Sequence, residues 1–130
     1  MTEVVLVHGS TQGPSGWDRF AGALRTRGHR VQSVDFATAE NTTATLAEAV
    51  DQAAGQIGLS DSPVVVAHSA GGLALPALGA RLGARHLVWV HAAVAAEHTA
   101  FLDEVTADPT AVFNPEWIGQ DPTTDPVLAT

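Results

Sequence analysis

The sequence predicts an α/β fold in which a four-stranded parallel sheet forms the middle layer of a three-layer sandwich. Short runs of apolar, mostly β-branched residues alternate along the chain with segments whose apolar residues recur at helical spacing. This alternation is typical of βαβ units, which build parallel sheets with helices on both faces. The runs of consecutive valines favour the same fold, because strands of a parallel sheet are buried on both faces.

The four predicted strands are short apolar runs that end close to a glycine or a polar residue. They cover residues 3–9, 29–36, 62–69 and 85–94. Three helices are predicted to connect them, ending at Gly28, at Gly58 and at Gly83. The apolar face is formed by Trp17, Phe20, Ala21 and Leu24 in the first helix and by Leu46, Val50, Ala53 and Ile57 in the second. The second helix is predicted over residues 42–58 and the third over residues 70–83.

The composition changes near residue 97. Residues 97–130 contain seven acids, no lysine or arginine, and four of the seven prolines. They show short helical fragments at best and no strand pattern. We therefore expect a core over residues 1–96 and a cap or lid over residues 97–130.

Composition and charge exclude several classes of protein. The 130 residues include 14 acids, six basic residues and no cysteine, which gives a net charge of −8. Nucleic acid is not an expected partner, because phosphate binding requires a basic patch. The lack of cysteine excludes a disulfide framework and cysteine-based metal sites, and we expect neither a metal nor a cofactor.

The N-terminus is not predicted to be a signal peptide, because it has no basic region and only a four-residue apolar run. No stretch approaches the roughly 18 apolar residues of a membrane-spanning helix. We therefore expect a cytoplasmic protein that does not bind membranes.

A serine lies at the junction between the third strand and the third helix. The sequence Ala67-His68-Ser69-Ala70-Gly71 is the G-x-S-x-G pattern of a nucleophile elbow with alanine in place of the first glycine. The serine of such an elbow has a strained backbone, so its neighbours must be small. Its hydroxyl lies at a helix N-terminus, where N–H groups favour developing negative charge. The alternative is that Ser69 only caps the helix.

The loop after the first strand, "HGSTQGPSGW", predicts the second half of an oxyanion hole. Gly9 allows a close approach of the backbone in this loop. We expect Ser10 or Thr11 to present an N–H group beside that of Ala70, so that two donors face the oxygen of a substrate carbonyl. The alternative is that the loop is a plain glycine-rich connector.

A dinucleotide-binding loop is a further alternative for the same residues. Gly9, Gly13 and Gly16 approach a phosphate-loop spacing, and Asp35 ends the second strand, where an acid that binds ribose would lie. However, Ser15 stands at a position where the pattern has glycine, and the chain has neither the tyrosine nor the lysine of a short-chain reductase. We therefore favour the oxyanion loop.

The first strand with its loop, the elbow "VVVAHSAGG" and the strand "HLVWVHAAV" together resemble the α/β-hydrolase superfamily. They are most similar to the compact branch that holds plant-type methyl esterases, hydroxynitrile lyases and many bacterial esterases. The resemblance covers about residues 3–96. It implies that Ser69 is the nucleophile, that Ser10 or Thr11 forms the oxyanion hole with Ala70, and that a cap follows the fourth strand.

The resemblance also implies residues that we do not find in this sequence. The family places an acid and then a histidine on loops after two further strands, and we expect this chain to stop before them. Activity is then expected to be impaired, because a serine hydroxyl without a base is a poor nucleophile. His91 and His98 are the candidates for a substitute base, whereas we expect His68 to pack beneath the turn.

Two functions remain open at this point. The first is a serine hydrolase that acts on a small ester or related acyl substrate through an acyl-Ser69 intermediate. Its substrate pocket is expected to include Gly9, His68, Trp89 and Trp117. The second is a protein without catalytic activity, derived from a truncated hydrolase, that binds a small molecule or another protein.

The fourth strand is also a candidate interface. If no further strand follows, the apolar stretch Leu87 to Val90 lies at the edge of the sheet, where unpaired N–H and C=O groups invite another chain. The helices that would cover it in the family are not found either, so an apolar patch is expected. We therefore expect a homo-oligomer joined near residues 87–94.

Overall fold

Strands and helices alternate in the computed structural model, which describes residues 1–10, 12–36, 45–58, 60–94, 101–111, 113–117 and 119. The residue contacts divide the chain into two units, Met1–Val94 and Ala95–Thr130. The strands of the first unit are β1 (Glu3–Val7), β2 (Arg30–Val34), β3 (Val64–Ser69) and β4 (His86–Ala92). Its helices are α1 (Asp18–Thr26), α2 (Leu46–Gly55) and α3 (Leu75–Leu82), with 3₁₀ turns at Pro14–Trp17 and Ala70–Leu73.

The four described strands form one parallel sheet in the order β2-β1-β3-β4. Val4 of β1 pairs with Val31 of β2 on one side and with Val64 of β3 on the other. Val64 in turn pairs with His86 of β4. The predicted α/β fold with a four-stranded parallel sheet is therefore confirmed.

Helices pack on both faces of this sheet. On one face, alternate residues of the strands, such as Val5, Val7 and Val65, pack against Val50 of α2 and Leu78 of α3. The other residues of the same strands point to the opposite face, because side chains alternate along a strand. There they pack with α1 in a smaller cluster formed by Val4, Leu6, Ala21, Val31 and Val66.

Strand β4 is less buried than the other three. Leu87 and Trp89 pack against the cluster under α2 and α3. Val88 and Val90 point to the other face and are 39% and 40% exposed. The apolar run therefore forms a strand as predicted, but one of its faces is only partly covered by the described residues.

The segment predicted as one helix over residues 70–83 is two helices. Ala70–Leu73 is a 3₁₀ turn, and α3 begins only at Leu75. Pro76 lies in the first turn of α3, where its missing N–H would have no intrahelical acceptor. Gly83 ends α3 with a φ of 61°, a left-handed conformation that favours glycine.

Helix α2 begins with a capping box. The Thr45 hydroxyl accepts a hydrogen bond from the Glu48 N–H at 3.3 Å, and the Thr45 N–H donates to the Glu48 carboxylate at 2.7 Å. The Thr45 hydroxyl also donates to the Glu48 carboxylate at 2.9 Å. The bonds that the carboxylate accepts from the Thr45 N–H and hydroxyl hold the pKa of Glu48 below its ordinary value. Leu46, predicted on the apolar face, lies in the first turn of α2 and is 54% exposed. Residues 42–44, the predicted start of this helix, lie outside the described residues.

The described part of the second unit contains α4 (Phe101–Ala107) and 3₁₀ turns at Pro109–Ala111 and Pro115–Trp117. Asp108 follows α4 and accepts hydrogen bonds from the hydroxyl and the N–H of Thr110. Both bonds hold the pKa of Asp108 below its ordinary value. The predicted boundary after residue 96 falls within residues 95–100, which lie outside the described residues. None of the helices described here is both long and apolar enough to span a bilayer.

Candidate active site

Ser69 ends β3 and lies at a sharp turn from strand to helix. Its backbone has a φ of 52° and a ψ of −131°, a conformation that residues with a side chain rarely adopt. Such a conformation costs on the order of 1–3 kcal/mol and persists only where the surrounding structure enforces it. The Ser69 hydroxyl makes no hydrogen bond to any residue that the structure describes, and it does not cap the helix.

Three glycines let the backbone crowd around this turn. A Cβ on Gly9 would lie 2.7 Å from the Ser69 Cβ and 3.2 Å from the Ser69 Oγ. A Cβ on Gly71 would lie 2.5 Å from the His8 carbonyl oxygen, and one on Gly72 would lie 2.3 Å from that of Ala93. Because these contacts leave no space for a side chain, the turn is held between the ends of β1 and β4.

Ala67 stands where the common elbow pattern has glycine. It is fully buried in β3, paired with Val7 of β1 and with Trp89 of β4. A methyl group at this position packs in the core cluster under α2 and α3. The alanine is therefore compatible with the turn.

The loop after β1 turns tightly beside Ser69. The Gln12 N–H donates to the Gly9 carbonyl at 3.2 Å. Ser10 is exposed, and its N–H has no acceptor among the described residues. Ala70 opens the 3₁₀ turn, where the first N–H groups lack an intrahelical acceptor. Thr11, the other candidate donor, lies outside the described residues.

His8 lies at the end of β1 and is only 2% exposed. Its Nδ1 is 2.7 Å from the Gly9 carbonyl oxygen, and its Nε2 accepts a hydrogen bond from the Phe36 N–H at 2.9 Å. The Asp35 carboxylate approaches the same Nε2 at 3.4 Å. The sequence placed His8 in the loop but gave it no role; the only local signal was a histidine between an apolar strand and a glycine.

His68 does not pack beneath the turn, so that expectation is wrong. Its Nδ1 is hydrogen-bonded to the Gln12 side chain at 3.0 Å, and its ring meets the Trp17 ring edge-on at a centroid distance of 6.2 Å. The reason is the alternation of side chains along β3. His68 shares a face with Val66, on the α1 side of the sheet, where Gln12 and Trp17 provide partners.

His91 is an exposed residue in a bulge of β4. Val90 pairs with His68 and Ala92 pairs with Ser69, so His91 is the extra residue between them, with a φ of 46°. Its ring stacks on that of His68 at a centroid distance of 6.4 Å, and it makes no hydrogen bond to Ser69 in the part of the chain that is described. His98, the other candidate base, lies outside the described residues.

A pocket of about 240 Å³ opens beside the loop after β1. It is mostly apolar and is lined by His8, Gly9, Ser10, Phe36, Leu46, Ala49, Ala70, Gly71, Leu73 and Ala74. Two of the three candidate oxyanion donors, Ser10 and Ala70, therefore lie on its wall, whereas Ser69 is not among the lining residues.

The residues predicted for the substrate pocket are only partly brought together. Gly9 lines it, whereas His68 and Trp89 do not. Trp89 packs against the core, and its Nε1 donates to the Gly72 carbonyl at 3.2 Å. The Trp117 side chain lies outside the described residues. Within the described ranges, no group of three or more acidic or histidine side chains could hold a metal ion.

The chain matches a known protein family. A family model described as the alpha/beta hydrolase family matches residues 4–129 of the chain. No curated protein matches the sequence.

Solved structures show the same fold. The chain is similar to an extracellular α/β-hydrolase from a Paenibacillus species, described as homologous in structure and function to tobacco salicylic acid binding protein 2 (TM-score 0.68, 23% identity, 80% of this chain and 46% of that chain). It is similar to a methylesterase from Arabidopsis (TM-score 0.57, 18% identity, 76% and 47%). It is also similar to a mutant of polyneuridine aldehyde esterase (TM-score 0.65, 22% identity, 95% and 51%). The chain spans about half the length of each of these structures.

Proposed function

Because this chain belongs to the alpha/beta hydrolase family, we propose that it is an esterase-type serine hydrolase with Ser69 as its nucleophile. The backbone of Ser69 is the observation that carries this proposal. A φ of 52° at the junction of a strand and a helix exposes the hydroxyl at the end of the sheet. The crowding by Gly9, Gly71 and Gly72 supports the proposal, since three close approaches of backbone stabilise a strained conformation.

The proposed reaction is acyl transfer to water. The Ser69 Oγ attacks the carbonyl carbon of an ester, and its hydroxyl proton is released as the Oγ–C bond forms. The N–H groups of Ala70 and of Ser10 or Thr11 donate hydrogen bonds to the carbonyl oxygen while it carries negative charge. The bond to the alcohol oxygen then breaks, the alcohol leaves with a proton, and water hydrolyses the acyl-serine to release the acid.

The pocket supports a small apolar acyl group as the substrate. At about 240 Å³ it is smaller than the sites of roughly 300–1,000 Å³ that hold drug-sized ligands. Phe36, Leu46 and Leu73 give it apolar walls, while Ser10 and Ala70 border it on the side of the proposed oxyanion hole. An acyl chain in this pocket would keep its carbonyl oxygen near the two donors.

We expect slow turnover from this 130-residue chain. The Ser69 hydroxyl has no histidine or carboxylate within hydrogen-bond distance among the described residues. A serine protease that lost its triad kept a rate enhancement of about 10³–10⁴ over water, from its oxyanion hole and substrate binding. Hydrolysis of short acyl esters should accordingly be weak, and it should not depend on His91.

Labelling with a fluorophosphonate tests the nucleophile. The Ser69 Oγ should displace fluoride from phosphorus, slowly because none of the described residues places a base beside it, and intact mass spectrometry should show one adduct. Ser69→Ala should abolish the adduct. Ser10→Ala is the matched control and should still be labelled, because Ser10 is proposed to act through its backbone N–H.

Two results would reject the assignment. These are equal labelling of wild type and Ser69→Ala, and no labelling of wild type after long incubation. Unlabelled protein that still binds short-chain esters would favour the alternative function, a binding protein without catalytic activity.

We also propose that the chain self-associates along β4. This strand is at the edge of the described sheet, and Val88 and Val90 on one of its faces are 39% and 40% exposed. Sedimentation at micromolar concentration should show a dimer or larger species, and Val88→Lys with Val90→Lys should shift it to monomer. A wild-type monomer whose β4 amides resist hydrogen exchange would reject this association. The cytoplasmic location stays a prediction.

A further inference from the structure

We propose that the side chains of Arg25 and Gln56 close the free edge of β2, so that a second copy of this chain cannot add a strand there. Strand β2 is the outer strand of the described sheet on the β1 side. The unpaired N–H and C=O groups of an outer strand can bind extended segments of other chains. This closure concerns assembly, and it depends neither on the proposed hydrolase activity nor on association along β4.

The pairing of β2 with β1 determines which residues of β2 face the open edge. The Arg30 N–H donates to the Thr2 carbonyl at 3.0 Å, so the backbone groups of Arg30 face β1. Successive residues of a strand direct these groups to opposite sides. The N–H and C=O groups of Val31, Ser33 and Asp35 therefore point away from β1, towards the open edge.

Gln56 occupies the edge at Asp35 in the way that another strand would. Its side-chain oxygen accepts from the Asp35 N–H at 2.8 Å, and its side-chain N–H donates to the Asp35 carbonyl at 2.9 Å. One amide thus pairs with both backbone groups of one residue, as a neighbouring peptide does. The chain after α2 is fixed beside β2, because the Gly58 N–H donates to the Gln32 side chain at 2.9 Å.

Arg25 occupies the other end of the same edge. It lies in the last turn of α1, and its guanidinium donates to the Val31 carbonyl at 3.0 Å. Since α1 and α2 pack on opposite faces of the sheet, the two side chains reach the edge from both faces. Among the described residues, the outward groups of β2 that keep no partner are the Val31 N–H and the two groups of Ser33.

The closure acts on strand pairing more than on stability. The bonds of Gln56 are exposed to solvent, so they add little to the free energy of unfolding. An incoming strand would have to break these bonds and that of Arg25, and at those positions it would gain no bond that β2 does not already make. The positive charge of Arg25 adds to the effect, because charged side chains at an edge discourage pairing.

The opposite edge of the described sheet has no comparable cover. The Arg85 N–H donates to the Pro63 carbonyl at 3.0 Å, so the backbone groups of His86, Val88 and Val90 point away from β3. Within the described ranges, no side chain bonds to these groups. Side chains that pair with outward backbone groups are therefore particular to the edge of β2.

Removing the two side chains should open the edge. The open-edge variant carries Arg25→Ala and Gln56→Ala, and its matched control carries Arg27→Ala and Gln52→Ala. Arg27 and Gln52 are exposed residues of the same two types, at the end of α1 and within α2, and the Arg27 guanidinium bonds within its own helix. Both chains lose one positive charge, so their net charges stay equal.

Both chains also carry Val88→Lys and Val90→Lys, which removes association along β4. At micromolar concentration the open-edge variant should sediment as a dimer and the control as a monomer. The Ser33 amide, the central outward donor of β2, should exchange about tenfold or more slowly in the dimer. Association through another face leaves this amide exposed, so a dimer without the protection would overturn the proposal, as would an open-edge variant that stays monomeric.

A proline distinguishes edge pairing from a loss of stability. Ser33→Pro removes an N–H that points to solvent, and an edge strand tolerates proline at such a position. Added to the open-edge variant, it should restore the monomer. A variant that associates because it is partly unfolded would still associate with the proline, and that result would overturn the proposal.

The wild-type protein offers a measurement that needs no substitution. The Asp35 amide, which is bonded to Gln56, should exchange about fivefold or more slowly than the Ser33 amide after correction for intrinsic rates. Equal corrected rates would show that Gln56 does not hold the edge in solution and would overturn the proposal. If the open-edge variant does not fold, this ratio decides. None of these readouts involves Ser69, so a failure of the proposed function leaves them unchanged.

Discussion

Strand β3 has β1 on one side and β4 on the other, and these two neighbours differ in burial. Four of the five residues of β1 are buried, and its end is tied to β2 through His8. Strand β4 alternates between half-buried and exposed residues and carries a bulge at His91. The β1 side touches the elbow through two glycines, Gly9 and Gly71, and the β4 side touches it through Gly72. The comparison indicates that the strain at Ser69 is maintained mainly from the β1 side.

The largest expected effect comes from adding a methyl group to each glycine. Gly71→Ala should destabilise the protein by about 3 kcal/mol, because overpacking against a backbone that cannot move is at the upper end of its usual cost. Gly72→Ala should cost only about 1.5 kcal/mol, although its contact is shorter, because the edge strand β4 can shift. Urea unfolding of both variants measures the difference.

Gly22→Ala is the control for these variants. Gly22 lies within α1 with open space around it, so alanine should stabilise the protein by about 0.5–1 kcal/mol through helix propensity. If Gly72→Ala proves as costly as Gly71→Ala, the two sides of β3 are equally rigid and the comparison is wrong.

A smaller effect is expected from relieving the two strained backbones. Ser69→Gly should stabilise the protein by about 1 kcal/mol, since the relief of 1–3 kcal/mol exceeds the entropic cost of glycine. His91→Gly should change stability by less than about 0.5 kcal/mol, because an exposed bulge relaxes more easily and loses its stacking on His68. Thermal unfolding compares the pair. A larger gain for His91→Gly would place the stored strain on the β4 side.

The smallest expected effect is at the start of α2, which borders the pocket through Leu46 and Ala49. The bonds from Thr45 lower the pKa of Glu48 in the folded protein. They therefore add to the free energy of unfolding, and the full contribution is present at pH values above the pKa that this carboxyl has in the unfolded chain. That stability is lost as the pH falls through the folded pKa. Glu48→Gln should therefore lower Tm slightly at pH 7 and not at about pH 3. In a Thr45→Ala background this pH dependence should disappear, and its persistence there would assign it to another partner of Glu48.

The strands and the elbow could be predicted from sequence because their signals are local. Consecutive valines mark a strand that is buried on both faces, and a serine between small residues at the end of such a strand marks a sharp turn. Gly71 and Gly72 come two and three residues after this serine. For these features, the residues that fix the geometry are neighbours in the chain.

The features that sequence analysis missed depend on residues that only the fold brings together. The buried His8 ring accepts a hydrogen bond from the Phe36 N–H, which follows another strand. The orientation of His68 depends on Gln12 and Trp17, which come from the loop and turn after β1. The division of the predicted third helix was the exception, since Pro76 marks the start of α3 and was present in the sequence.

The strand order has a consequence for folding kinetics. Strands β1 and β2 are joined through α1, and β3 and β4 through α3, so each pair can form from residues that are near in the chain. The β1–β3 pairing joins Val4 to Val64 and closes a much longer loop. Closing a longer loop costs more chain entropy, so this pairing should form more slowly than the other two. The contacts of Gly9 with Ser69 and of Gly71 with His8 cross the same boundary. We therefore expect the elbow to acquire its strained conformation late in folding, when the two halves of the sheet dock.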